Sequence, residues 1–163
     1  MKKRISVALF SCLCAFWIGF IWVNSLQVGE VSGEMSGSVT DGINQFLGRF
    51  IDGFYISGYA VRKLAHFLEF AVLALLFCFD YYFIFKIDKS SPFRRYALVG
   101  VALPSAMGVA SVDESIQLFV DGRVGSFTDV LIDSSGALLA TALFFGVLAL
   151  RVKIGNKKKC RDL

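Results

Sequence analysis

Ten ionisable or amide side chains gather in three short stretches of the 163-residue chain: Arg62, Lys63, His66 and Glu69; Asp113, Glu114 and Gln117; Arg123, Asp129 and Asp133. Each group has a chemistry. His66 and Glu69, three apart, suit proton transfer, with the imidazole as general base or acid and the carboxylate orienting it. Asp113 and Glu114 offer a second acid/base pair, or oxygen ligands for a hard divalent cation. Arg62, Lys63 and Arg123, with the Gln117 amide, offer donors to a phosphate or another anion. Asp129, Asp133 and Gly136 repeat at helical spacing and read as pocket wall and packing positions. The chain has one histidine, and no cysteine lies near the cluster, so a structural zinc site is disfavoured. No nucleophile elbow, phosphate loop or HExxH motif is present.

Helical geometry brings these groups together. At about 100° per residue, Arg62, His66 and Glu69 fall near 0°, 40° and −20°, on one stripe, with Lys63 to its side. Asp113 and Gln117, four apart, share a face flanked by Glu114. Asp129 and Asp133 share another, which Gly136 and Ala140 continue as small residues suited to close helix contact. Asp133 lies about 6 Å deeper along its helix than Asp129. Pro104 and Gly108 predict a kink and close packing in the third apolar run. The stretch from Asp121 to Gly125 is a glycine-bracketed loop before a helix that Ser126 or Thr128 caps. A helix start beside Arg123 is an anion site, unless Arg123 pairs with Asp129 or Glu69.

The elements that position these residues are apolar. The chain is 56% hydrophobic and only 18% charged, with a mean hydropathy of +0.64. This excludes a soluble globular enzyme, a disordered chain and a coiled coil. Four apolar runs, about 5–23, 64–85, 96–112 and 130–150, approach the ~20 residues a bilayer core requires. The fold class expected is an all-α membrane protein, a single domain over 1–163. The first run is too long for the hydrophobic part of a signal peptide and reads as a retained anchor. Of 17 basic residues, 13 fall on one side of a four-span topology; only Arg49, Arg62, Lys63 and Arg123 fall on the other. The positive-inside rule then puts both termini in the cytoplasm and all three polar groups at the outer face. The net charge of +4 does not indicate nucleic acid, because the cations sit at the ends of apolar runs. Cys12, Cys14, Cys78 and Cys160 read as small apolar filler without disulfides.

Between the first two spans, residues 24–39 are rich in glycine and serine and read as a flexible loop. Residues 41–55 carry Ile43, Phe46, Leu47, Phe50, Ile51 and Phe54 at helical spacing. They predict an extracytoplasmic amphipathic helix, lying on the outer leaflet or packing on the spans as a lid.

The block Arg62-Lys63-Leu64-Ala65-His66-Phe67-Leu68-Glu69-Phe70 resembles a basic, His-Phe, Glu-aromatic signature of the VanZ-like family. Asp113-Glu114-Ser115-Ile116-Gln117, continuing through Arg123, Asp129, Asp133 and Gly136, is similar to that family's second signature. The resemblance covers about Arg62 to Phe144. Asp133 stands where the family usually has asparagine, and Phe70 where tyrosine is common. The resemblance implies a multi-pass protein of the bacterial cytoplasmic membrane, in a family named for low-level teicoplanin resistance. It supplies no reaction.

Three functions compete on this reading. The first is a pocket, lined by spans two, three and four, for an anionic envelope lipid or a lipid-linked cell-wall precursor. The second is an enzyme modifying such a lipid through His66 and Glu69. The third is a scaffold whose charged cluster only fastens helices. Because the spans offer no polar path to the cytoplasm, and Asp80 is the only carboxylate in the inner half of span two, a transporter fits poorly.

Overall fold

In lipid a backbone can satisfy its own N–H and C=O groups within a helix, and most of the described residues of this chain are helical. The computed structural model describes residues 2–85 and 92–161, with side chains for 4–85 and 96–154. It contains five helices among these residues and no strand: α1 (Lys2–Ser25), α2 (Gly29–Leu47), α3 (Gly58–Ile84), α4 (Pro92–Gln117) and α5 (Phe127–Arg161). Four are long and apolar enough to cross a membrane, over Arg4–Ser25, Gly58–Ile84, Tyr96–Gln117 and Phe127–Ile154. The four-span expectation holds, with the second span starting earlier and the third ending later than the apolar runs suggest. Lys86 and Lys89, used in the charge count, lie outside the described residues.

The central helix is α3, which packs on each of the other four; α4 touches α1, α3 and α5. The α4 stripe explains the closeness. Leu98, Ala102, Ala106 and Ala110 recur every fourth residue, fully buried, and Asp113, Glu114 and Gln117 continue the same face. Small side chains let the helices approach, and the stripe then delivers polar groups to one end of the bundle. On α5 the buried positions are Asp133, Gly136, Ala137, Ala140 and Thr141. A Cβ added at Gly136 would stand 2.1 Å from the Phe67 carbonyl oxygen, so the α3–α5 crossing requires glycine there. Gly108 differs from expectation: a Cβ there meets nothing within 4 Å, and α4 runs as one helix through Pro104. Close packing in α4 comes from its alanines.

The larger correction concerns the segment between the first two spans. Residues 29–39 are helix rather than loop, and the expected helix at 41–55 ends at Leu47, followed by turns. Glycine and serine are weak helix formers, and contacts outweigh that preference here. Gly29 lies against Gly122, with its N–H donating to the Asp121 carbonyl at 3.0 Å. The hydroxyls of Ser36 and Thr40 donate back to the carbonyls of Ser32 and Ser36 at 2.8 and 2.6 Å. Asn44 clamps the returning chain, exchanging hydrogen bonds with the Ile56 backbone at 2.8 and 3.0 Å. The small polar side of α2 meets α3, while Val31, Met35, Val39 and Phe46 stay exposed.

A larger cavity, about 810 Å³, is an apolar groove between α3 and α5. Among its lining residues only Arg151 is charged, and it holds no group suited to the chemistry above.

Candidate functional site

The three polar stretches do converge, at the end of the bundle where α1 and α4 finish and α3 and α5 begin. Ser57 caps α3 by accepting from the Ala60 N–H at 3.3 Å. This starts the helix at Gly58, four residues before Arg62, so Arg62, His66 and Glu69 share one face as the spacing implies. At α5, Ser126 is the cap: its Oγ accepts from the Thr128 N–H at 3.2 Å. Its own N–H donates to Glu114 Oε2 at 2.8 Å. The start of α5 therefore has its anion from within the chain.

A cavity of about 190 Å³ opens at this end. Its walls differ from the expectation of spans two, three and four. They come from α3 (Val61, Arg62, Ala65, His66, Glu69), the end of α1 (Asn24, Ser25), Gln27, the α2 face (Ser32, Met35, Ser36, Val39) and Arg123. Helix α2 packs on α3 at this end, and the buried carboxylates Asp113, Glu114 and Asp133 are outside the cavity lining. Asn24, Ser25, Gln27, Ser32 and Ser36 are uncharged and sit where glycine and serine read as a loop; no signal in the chain marked them.

Nine of the ten predicted side chains separate into three sets, and Glu114, bound by the Ser126 N–H, stands outside them. Lys63 forms an ion pair with Asp129 and lies 5.2 Å from the Tyr59 ring centre, so it does not line the cavity. Gln117 is buried and spent internally: its amide donates to Asp113 Oδ2 at 3.0 Å and to Ser25 Oγ at 3.3 Å. Ser25 in turn donates to Asp113 Oδ2 at 2.8 Å. These are the fastening interactions that a scaffold would show.

Arg62 and Arg123 are the second set. Arg123 pairs with neither Asp129 nor Glu69. Its Nε and Nη2 donate to the carbonyls of Gln27 and Asn24 at 3.1 and 3.0 Å. It thus ties down carbonyls at the end of α1 while its side chain lines the cavity. Arg62 Nε is buried without a hydrogen-bond partner. Among the described residues, neither guanidinium makes a salt bridge with a carboxylate. Burial, and next the like charge of Arg62, hold the Arg123 guanidinium below its ordinary pKa. Two such groups side by side favour an anion between them.

The third set is His66, Glu69, Asp113 and Asp133. His66 Nδ1 stands 3.8 Å from Glu69 Oε2, beyond hydrogen-bond distance. One ligand atom from each of His66, Asp113 and Asp133 lies within 4.8 Å of the others. Both Asp133 oxygens, Asp113 Oδ1 and His66 Nδ1 are buried without partners. Glu114, engaged by Ser126, is not in this group, and Asp133 stands beside Asp113 instead. The reason is helical phase: Glu114 turns 100° from Asp113, toward the loop before α5.

Asp80, at the other end of α3, accepts from the Ser11 hydroxyl at 3.0 and 3.2 Å and has a structural partner. Cys12, Cys14 and Cys78 are free thiols.

The VanZ/LLP1 family profile matches residues 10–150, most of the chain and all of the site. Comparison with curated proteins gave no match. Comparison with solved structures gave none either. With four spanning helices and a family match over nearly its whole length, the chain belongs to the VanZ-like family of membrane proteins.

Proposed function

We propose that this protein binds the phosphate of an anionic envelope lipid, or of a lipid-linked cell-wall precursor, between Arg62 and Arg123. The pocket faces outward from the bacterial cytoplasmic membrane, with both termini in the cytoplasm. One observation carries the reading: two guanidiniums meet at a membrane-end cavity, and neither is neutralised by a carboxylate within salt-bridge distance. A guanidinium without a close ion-pair partner in such a place is expensive and is a candidate for binding a ligand. The cavity, about 190 Å³, is smaller than the roughly 300 Å³ at which drug-sized pockets begin. It holds a headgroup phosphate with its linkage, not a whole lipid. Met35 and Val39, lining its edge and exposed on α2, suit the first methylenes of an acyl chain.

The test is lipid enrichment. Wild type in phosphatidylcholine nanodiscs doped with phosphatidylglycerol is expected to retain the anionic lipid. Arg62→Gln with Arg123→Gln is expected to retain it about tenfold less or worse, since a charge-assisted hydrogen bond contributes about 1.5–3 kcal/mol. Equal retention overturns the reading. Sequestering such a lipid would change how a lipoglycopeptide engages the surface, so the same variants are expected to shift teicoplanin susceptibility in cells.

A second reading has its own observation: His66 and Glu69 line the same cavity as the guanidiniums. An enzyme would use them as acid and base on the bound headgroup. Lipid mass spectrometry of cells carrying His66→Ala separates the two. New or missing lipid species favour the enzyme, and an unchanged profile with retained binding favours the pocket.

A further inference from the structure

We infer that His66, Asp113 and Asp133 form a binding site for a divalent transition cation, of the Zn²⁺ or Mn²⁺ kind, behind the phosphate pocket. Three helices converge on it: His66 comes from α3, Asp113 from α4 and Asp133 from α5. Asp133 is fully buried, and neither of its oxygens has a hydrogen-bond partner. Asp113 is fully buried as well, with Oδ2 taken by Ser25 and Gln117 and Oδ1 left without a partner. Three unpartnered carboxylate oxygens in an apolar helix bundle carry a heavy desolvation cost unless something positive sits among them.

The donor set selects the occupant. Two carboxylates neutralise a divalent cation, and one imidazole nitrogen among oxygens suits zinc or manganese better than the harder magnesium or calcium. Ligand atoms sharing an ion at about 2.0–2.2 Å stand roughly 3–4 Å apart. The separations here are within 4.8 Å, so side-chain adjustments of an ångström or less close the site. The surroundings of Asp113 resemble a built support: Ser25 and Gln117 fix one oxygen and thereby aim the other. Three protein ligands leave coordination positions for water, and the adjoining pocket, bordered by Ser25 and His66, is the way in. The site does not depend on what the pocket binds.

Metal content tests this. Full-length protein in detergent is stripped with EDTA and equilibrated separately with Zn²⁺, Mn²⁺ or Mg²⁺. It is then desalted, and bound metal is measured by mass spectrometry alongside thermal unfolding. Wild type is expected to hold about one Zn²⁺ or Mn²⁺ per chain and to melt higher with it. The near-isosteric Asp133→Asn and the half-buried His66→Ala are expected to bind at least about tenfold more weakly, with no rise in melting temperature. Asp129→Asn, next to the cluster but paired with Lys63, is expected to keep the metal. Substoichiometric binding by wild type overturns the inference, as does unchanged binding in either cluster variant. Arg62→Gln, which disables the phosphate pocket, is expected to retain its metal, so failure of the lipid reading and failure of this one are told apart.

Discussion

Arg123 shows how one side chain serves two ends at this site. Its Nε and Nη2 bond to the carbonyls of Gln27 and Asn24 and so close the end of α1. The same guanidinium lines the cavity and would supply half of the proposed anion pocket. Arg123→Gln is therefore expected to lower both lipid retention and stability, the latter by about 1–3 kcal/mol from lost charged hydrogen bonds. Arg62→Gln removes a buried guanidinium whose Nε has no partner. Its effect is expected on lipid retention alone, with thermal unfolding unchanged or slightly raised. Melting curves of the two variants side by side check this split. Ser25→Ala probes the carboxylate support: it strips one of two donors from Asp113 Oδ2, and about 1–2 kcal/mol of destabilisation is expected in chemical denaturation.

At the scale of helices, the site depends on close approach. The α3–α5 crossing at Gly136 and Phe67 sits one turn from Asp133, and it sets how near that carboxylate comes to His66. Gly136→Ala puts a methyl group into a backbone carbonyl that cannot rotate away. The expected cost is about 1–3 kcal/mol or more, with loss of metal and lipid binding together. Gly146→Ala, on the same helix with open space at its Cβ, is the control. It is expected to be neutral or to stabilise by up to about 1 kcal/mol, because alanine is the better helix former. Helix α2 depends on contact too. Its glycines and serines give little helix by themselves, and Gly29 against Gly122 anchors its start. Gly29→Ala is expected to loosen α2 from the loop before α5, raising hydrogen exchange over residues 29–40 while leaving the four spans protected.

For the whole molecule, the four spans alternate in direction, so the polar cluster lies at one end of the bundle and Arg4, Arg151 and Lys153 at the other. The proposed topology puts the cluster outside. In a background with the native cysteines replaced, a cysteine at the exposed Asp121 is expected to react with a membrane-impermeant maleimide in intact cells. One at Lys153 is expected to react only after lysis. The reverse pattern would place the pocket in the cytoplasm and remove the link to cell-wall precursors.

The spans and the convergence of the polar stretches were legible in the chain because both follow from local rules. A backbone in lipid must satisfy its own hydrogen bonds, which long apolar runs do as helices; charge avoids the bilayer core, and 100° per residue assigns each side chain to a face. Those rules placed Arg62, His66 and Glu69 on one stripe and Asp133 above Gly136, as the structure has them. They could not say which face meets which. Lys63 met Asp129 and Glu114 turned to Ser126, each choice set by how deep and how rotated neighbouring elements lie. Nor could they find α2, whose start and end are held by Gly29 and Asn44, each with a partner distant in sequence. The residue types on each face were decided along the chain. Which of them stay unpartnered, and so free to hold a phosphate or a metal ion, was decided only when five helices packed.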